Sequence, residues 1–416
     1  MTMEETRRRE LIETLGRRLN RAVRLYLDNC ARCGLCVESC HAYASHPDVR
    51  FSPVGRAQNI RKLYDKYFTA GGKLAPWLTE AVEFSDEWMK KVYDTAYTCT
   101  GCRRCMTVCP FGIDTQQIQS IAKELLIVAD MEPKLLSMLA DMSIAKGEMT
   151  AATKETFGTA IRNLEAEVLE RWRSEAGREA IPLDAPDANV LYVALAGKHS
   201  IVPAAAIMNA AGEKWSLSYF EAVNFGAFVG NPKKTKDIAN RIVAEATRLR
   251  VKEVAICECG TAYRVMKHMT GEHPFQVVSF IELIARYVEQ GRLKLDKSKL
   301  AGKVTYHDPC QMARNGGVYE APRLVLRHLT DEFVEMNPTR EANWCCGGGG
   351  GLVAMGEKDF RMQSAKVKVD QFVATGAPTL VTACENCHTQ LSDLSAHYQT
   401  GVSVHFLSDL VSRALI

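Results

Sequence analysis

The 416-residue chain is short of net charge and of long apolar runs. Its 52 Lys and Arg nearly cancel 49 Asp and Glu, leaving a formal +3. That is too close to balance for a nucleic-acid-binding protein, whose basic face must neutralise phosphates. No stretch of about 18 uncharged apolar residues exists, so nothing is expected to span a membrane. The nearest approach, 277–288, is broken by Glu282 and Arg286. Arg7-Arg8-Arg9 invites a twin-arginine leader. Glu10, Glu13, Arg17 and Arg18 leave no apolar segment behind it, so the protein is expected to stay in the cytoplasm. No G-x-G-x-x-G follows a strand-like segment, and no flavin is expected in this chain.

Cysteine is abundant. There are fifteen, and in a cytoplasmic chain of this size they read as metal ligands or redox groups rather than a disulfide framework. All fall in groups. Cys30, Cys33, Cys36 and Cys40 are spaced C-x-x-C-x-x-C-x-x-x-C, and Cys99, Cys102, Cys105 and Cys109 repeat the spacing. This is the ferredoxin run, in which a tight loop delivers three thiolates to one cubane and the fourth cysteine serves the other. One cubane 4Fe-4S cluster is therefore expected on Cys30, Cys33, Cys36 and Cys109, and the other on Cys99, Cys102, Cys105 and Cys40. Pro110 follows the second run, whereas His41 stands at that position in the first. His41 is expected to be a surface residue, the alternative being a hydrogen bond that raises its cluster's potential.

A third group lies toward the C-terminus. It reads His307-Asp308-Pro309-Cys310, then Trp344-Cys345-Cys346 before five glycines (Gly347 to Gly351), then Cys384-Glu385-Asn386-Cys387-His388. The intervening stretches of 34 and 37 residues have room for a strand, a helix and loops. Adjacent cysteines do not suit one ordinary ion, but they can meet different irons of a cluster. A zinc site is the alternative, yet zinc asks for four ligands at finger-like spacing and has no use for a Cys-Cys pair before a glycine run.

The rest of the chain sorts around these groups. Residues 1–27 form an amphipathic helix with Leu11, Leu15, Leu19, Ala22 and Leu25 on one face. It serves as a docking helix with a solvated basic side or as a contact to a membrane-embedded partner or acidic lipid. Residues 28–130 hold both ferredoxin runs, with helices expected over 57–67, 85–97 and 115–129. Residues 131–188 are helical and end in a Pro/Asp-rich linker over 181–187. A strand–helix alternation then begins, as in parallel sheets with crossover helices. In 189–300, strands over 189–196 and 251–256 and helices over 203–211 and 236–249 lead to Cys257-Glu258-Cys259-Gly260, with Arg264 on the following helix. In 301–416, strands over 304–306 and 380–383 deliver Cys310 and then Cys384 and Cys387, with a helix over 357–374 between them. The two halves look like an internal duplication. In the first, Asn224-Phe225-Gly226 stands where the Cys pair would lie.

The third cysteine group resembles the CCG domain of heterodisulfide reductases. The ferredoxin part is similar to the all-helical ferredoxin domain of those enzymes and of succinate dehydrogenase iron–sulfur subunits. The whole of 28–416 resembles the HdrD-like heterodisulfide reductase family, in particular the catalytic iron–sulfur subunits of the sulfite-reduction-associated membrane complex and related transmembrane redox complexes. The fold class implied is α + α/β: an all-helical ferredoxin domain with two cubane clusters, then two α/β CCG-type half-domains, the first degenerate. The resemblance implies that Cys310, Cys345, Cys346, Cys384 and Cys387 hold one non-cubane 4Fe-4S cluster, where a disulfide or trisulfide is cleaved. It implies as partners a membrane-embedded haem b subunit that exchanges electrons with quinol and a small sulfur-carrier protein with C-terminal cysteines. The chain would thus sit at the inner face of the cytoplasmic membrane. Cys257 and Cys259 are relic residues, a redox pair or binders of the substrate's sulfur chain; closeness to the cluster is favoured. Arg264 orients an anionic tail or makes a structural ion pair. His307 and His388 are proton donors to a leaving thiolate, or they hydrogen-bond a ligand sulfur. The rival assignment is the electron-relay iron–sulfur subunit of a flavin-dependent glycolate, lactate or glycerol-3-phosphate dehydrogenase, or a relay whose last cluster never meets substrate.

Overall fold

The computed structural model describes residues 3–145, 151–172, 180–195 and 197–416. They form two compact units interleaved along the chain. The first comprises Met1–Leu139, Phe225–Lys233 and Trp344–Lys368; the second comprises Ala140–Asn224, Lys234–Asn343 and Val369–Ile416. The segment Trp344–Lys368, expected inside the half-domain 301–416, thus belongs to the same unit as both ferredoxin runs.

The first unit is helical. Its main helices start where the sequence supplies a cap. The Ser52 side chain accepts from Gly55 N–H ahead of Pro53–Phe68, Ser85 from Trp88 N–H ahead of Asp86–Ala96, and Asp114 from Gln117 N–H ahead of Thr115–Val128. Leu11, Leu15, Ile60, Leu63, Met89, Val92, Ile118 and Leu125 form its core. The N-terminal expectation needs correction. Residues 1–27 hold two helices, Glu5–Arg18 and Arg21–Asp28, because Asn20 leaves helical geometry and caps the second through Val23 N–H. The break resets the helical phase, so Val23 and Leu27 are buried while Ala22 and Leu25 are exposed.

The second unit carries two parallel four-stranded sheets. Strands β1 (Val190–Val193), β2 (Trp215–Leu217), β3 (Glu253–Ile256) and β4 (Gln276–Ser279) are ordered β2-β1-β3-β4. Strands β5 (Val304–His307), β6 (Phe333–Val334), β7 (Thr379–Thr382) and β8 (Ser403–Phe406) repeat the order as β6-β5-β7-β8. The pairing of β1 with β3 is matched by that of β5 with β7, with four residue partners in each. The strands not foreseen, β2, β4, β6 and β8, lie beside the central pairs; they mix polar with apolar residues or span only two.

Two further expectations change. The helix over 357–374 is two, Lys358–Ser364 and Lys366–Val373, interrupted at Ala365. The stretch 181–187 is no free linker: Leu217 N–H donates to Pro182 O (2.8 Å) and Leu183 bridges Leu217, extending the sheet beyond β2. The strand over 189–196 is observed at Val190–Val193, and Ala196 lies outside the described residues, as do 146–150 and 173–179 of the helical stretch 131–188.

Candidate functional site

In the first unit the two ferredoxin loops adopt the same backbone. Arg32 and Gly34 in one, and Gly101 and Arg103 in the other, occupy left-handed conformations at matching positions, which curls each loop so that its cysteines converge. The thiols sort crosswise. Burial raises the Cys36 thiol to about 11, with Cys30 and Cys109 adding repulsion. Burial also holds Cys105 well above the usual thiol range, beside Cys102, Cys99 and Cys40. Cys33 is exposed. Sulfurs gathered this tightly lose their protons only with positive charge among them, and irons are what a cubane supplies. The residues present fit such a group.

Arg56, fully buried, was not foreseen. Its guanidinium donates to Cys40 Sγ (3.5 Å) and Thr98 O (3.1 Å). It lies against Cys40, Cys99 and Cys105, and their charge outweighs burial and raises its pKa. Nothing in an arginine in the first turn of a helix signals this from sequence. His41 is also corrected: it is 3% exposed, not a surface residue. Burial works against its charged form, yet the Cys345 and Cys102 sulfurs raise its pKa above the ordinary value.

Cys345 and Cys346 lie in this same unit. Gly347 N–H donates to Cys345 Sγ and Gly348 N–H to Cys346 Sγ, both at 3.4 Å. The Cys345 thiol sits 3.4 Å from Thr100 Oγ1, to which it donates. The glycine run rests on the second ferredoxin loop. A Cβ on Gly349 would lie 2.9 Å from Thr100 O, and one on Gly350, at φ +69°, would lie 2.5 Å from Cys99 O. Buried Lys123 donates to Phe228 O (2.9 Å) and Gly350 O (3.0 Å). Arg104 stacks on Trp344, 3.5 Å from the ring centroid. The glycines therefore serve a backbone-to-backbone contact beside the cysteines.

In the second unit Cys310 follows β5, and Cys384 and Cys387 follow β7. β5 and β7 are neighbours from which the chain departs in opposite directions, the point where such sheets collect ligands. Cys384 caps the helix Glu385–His397. Its thiol is held below the usual range, first by the Cys387 hydrogen bond and then, against burial, by the N–H groups of Gly260, Cys387 and Asn386.

β3 delivers its cysteines to the same region. Cys259 caps the helix Gly260–His268 as Cys384 caps its own, and Glu385 N–H donates to Glu258 O (2.8 Å). Burial and then the Cys384 charge raise Cys259 to about 12; Cys257 is raised well above the usual range by burial and Cys259. Both stay thiols at neutral pH, and Cys259 lies beside Cys384. A Cβ on Gly260 would come within 2.9 Å of Gln311 Cβ and 3.0 Å of Met312 N, so this helix also packs on the Cys310 loop. Arg264 donates to Gln311 Oε1 (3.2 Å) there.

Three more groups complete the setting. Glu258 is buried, its carboxylate accepting from Ser408 N–H (3.3 Å) and from the Ser408 hydroxyl. Desolvation raises its pKa to about 7. It lies inside the Cys257-x-Cys259 motif, the one signal that could have found it. Asp308 is held by buried Arg323 through two bonds of 2.8 and 2.9 Å. The Asn343 amide donates to His307 Nδ1 (3.3 Å) and to Asp308 O (3.2 Å), fixing the residues ahead of Cys310. His388 stacks on Phe406 with ring centroids 4.1 Å apart. Burial lowers its pKa, against a hydrogen bond to the Val404 backbone.

Residues 26–113 match the family described as 4Fe-4S dicluster domain, and residues 304–392 match the CCG cysteine-rich domain. The chain is 27% identical to the Hdr-like menaquinol oxidoreductase iron-sulfur subunit 2 of Archaeoglobus fulgidus, over 95% of this chain and 81% of that protein. It is 28% identical to a subunit of the dihydromethanophenazine:CoB--CoM heterodisulfide reductase of Methanosarcina mazei, over 94% of both chains. It is 26% identical to the EtfAB:quinone oxidoreductase of Syntrophomonas wolfei, over 94% of this chain and 58% of that protein. No solved structure matches the chain. Among the described residues, no helix is long and apolar enough to cross a membrane. The chain carries a 4Fe-4S dicluster domain followed by mixed helix and parallel sheet that includes a CCG domain, and it is similar to heterodisulfide reductase-like iron–sulfur subunits.

Proposed function

We propose that this chain is the iron–sulfur oxidoreductase subunit of a membrane-associated electron-transfer complex that reduces, or reversibly forms, a disulfide or trisulfide. The observation that carries the reading is the CCG match over 304–392, which includes all five of Cys310, Cys345, Cys346, Cys384 and Cys387. These five hold a non-cubane 4Fe-4S cluster, and the eight ferredoxin cysteines hold two cubanes. When bound, the clusters supply the single-electron steps that a two-electron cleavage of an S–S bond requires. Overall, one S–S bond breaks and two electrons and two protons are taken up; a disulfide leaves as two thiols, a trisulfide as a thiol and a hydropersulfide.

The chain's own residues hold and orient. Cys384, with its thiol pKa lowered by the Cys387 hydrogen bond and by three backbone N–H groups, gives up its proton to a metal more readily than an ordinary thiol. Cys257 and Cys259 remain neutral thiols beside it. Arg264, held against the Cys310 loop by Gln311, gives a cation to orient an anionic or persulfide tail. His388 packs on Phe406 and serves as proton donor or as a support for Cys387. The substrate is a cysteine-bearing arm of a small sulfur-carrier protein. The electron partner is a membrane-embedded haem b subunit that exchanges with quinol and holds this chain at the inner face of the membrane. The similarity to a named menaquinol oxidoreductase subunit supports that partner.

One observation favours a second reading. The similarity to an EtfAB:quinone oxidoreductase suits a relay between a flavoprotein and quinone in which the last cluster never meets substrate. Iron analysis with EPR on anaerobically purified protein separates the two. About twelve irons and an unusual paramagnetic signal that changes on adding a thiol or disulfide support the first reading. About eight irons with only reduced-cubane signals leave the relay.

A further inference from the structure

His41 occupies an unusual place in the first unit. It follows the last cysteine of the first ferredoxin run and turns inward from there. Both of its ring nitrogens are buried, and neither has an oxygen or nitrogen partner among the described residues. A buried imidazole without a partner costs free energy unless something accepts its proton. Sulfur is what stands nearby. A His41 nitrogen, Cys102 Sγ and Cys345 Sγ all lie within 4.8 Å of one another.

These two sulfurs have different roles in the proposed function. Cys102 belongs to the second ferredoxin run and Cys345 to the adjacent pair of the CCG domain. Thr100, two residues before Cys102, also reaches Cys345 at 3.4 Å. The contact is built into the backbone: Gly349 and Gly350 have no room for a side chain against Thr100 and Cys99. The other ferredoxin loop differs, since its Cys33 is exposed.

We propose that His41 is a positioning residue that hydrogen-bonds the sulfurs of Cys102 and Cys345, making the cubane on Cys40, Cys99, Cys102 and Cys105 the one that exchanges electrons with the Cys345 site. The inference rests on the reading that those cysteines carry clusters. The step moves one electron: the cubane loses it, the Cys345 site gains it, and no bond forms or breaks. Sulfur ligands this close allow fast exchange, because electron transfer falls off steeply with distance. The cubane with exposed Cys33 then faces the external donor. A hydrogen bond to a ligand sulfur also stabilises the added negative charge, so His41 raises the potential of its own cubane.

The test is pulsed EPR on the whole cluster-loaded chain with 15N-labelled histidine. Nitrogen coupling is expected on one reduced cubane signal only, and that signal is the one broadened by the spin of the Cys345 site. In His41→Ala the coupling disappears and the midpoint potential of that cubane alone moves down. His41→Gln, which keeps an N–H donor, restores part of the shift. Two cubane signals with no nitrogen coupling in the unaltered protein overturn the bridge without needing a variant. Coupling that survives His41→Ala, or equal shifts of both midpoints, overturns it as well. Fewer than two cubane signals overturns the cluster reading beneath it.

Discussion

Gly350 lies directly on the carbonyl of Cys99, where a Cβ would sit 2.5 Å from Cys99 O. The backbone conformation, at φ +69°, is one a side chain rarely adopts. The contact joins the segment that carries Cys345 and Cys346 to the second ferredoxin loop.

Gly350→Ala is expected to displace that segment. The left-handed backbone alone costs roughly 1–3 kcal/mol for a residue with a side chain, and the collision with a carbonyl adds to it. Loss of the Lys123 bond to Gly350 O follows. Thermal melting should drop, and iron content per chain should fall below that of the unaltered protein. Unchanged melting and iron would mean that the glycine contact does not hold the cysteine pair.

Arg323 and Asp308 form a fully buried, two-bond ion pair, with Glu335 as a second carboxylate on the same guanidinium. Arg323→Met leaves Asp308 buried without its cation, a loss of about 3–5 kcal/mol. Urea unfolding measures it. Adding Asp308→Asn to the variant should recover part of the loss, because the stranded charge is then gone. No recovery would assign the cost to packing rather than charge.

Glu258 predicts a pH slope. Its ordinary pKa is 4.5 and desolvation raises it to about 7 in the folded chain. Between these values the unfolded state has released the proton and the folded state keeps it. Stability therefore falls as pH rises through this window and levels off above it. The steepest slope is roughly 1.4 kcal/mol per pH unit. Glu258→Gln should flatten the slope and be more stable relative to the unaltered protein at pH 8 than at pH 5. Denaturation midpoints at pH 5, 6, 7 and 8 check this, and parallel curves would refute it.

Much of this was legible in the residues. The two ferredoxin runs and the CCG spacing are local patterns, and ligand spacing is a property of short loops. Helix starts were readable at Ser85 and Asp114, because capping is a contact between residues three apart, whereas the helix capped by Ser52 starts at Pro53, four residues before the expected 57. The N-terminal helix was misread because a single Asn20 cap shifts the face by part of a turn. The edge strands mix polar with apolar residues or span only two, so no apolar run marked them.

What sequence determined by itself was the chemistry: which thiols exist, how they are grouped, and the family they resemble. Only the tertiary structure decided what surrounds them. Arg56 sits 42 residues before Thr98 and still donates to its carbonyl. His41 lies beside a sulfur more than 300 positions away. Glu258 is answered by Ser408 across the second unit. These partners meet through packing between distant segments, and burial, which sets the charge state of Glu258 and of the Cys257 and Cys259 thiols, has no local pattern from which it could be read.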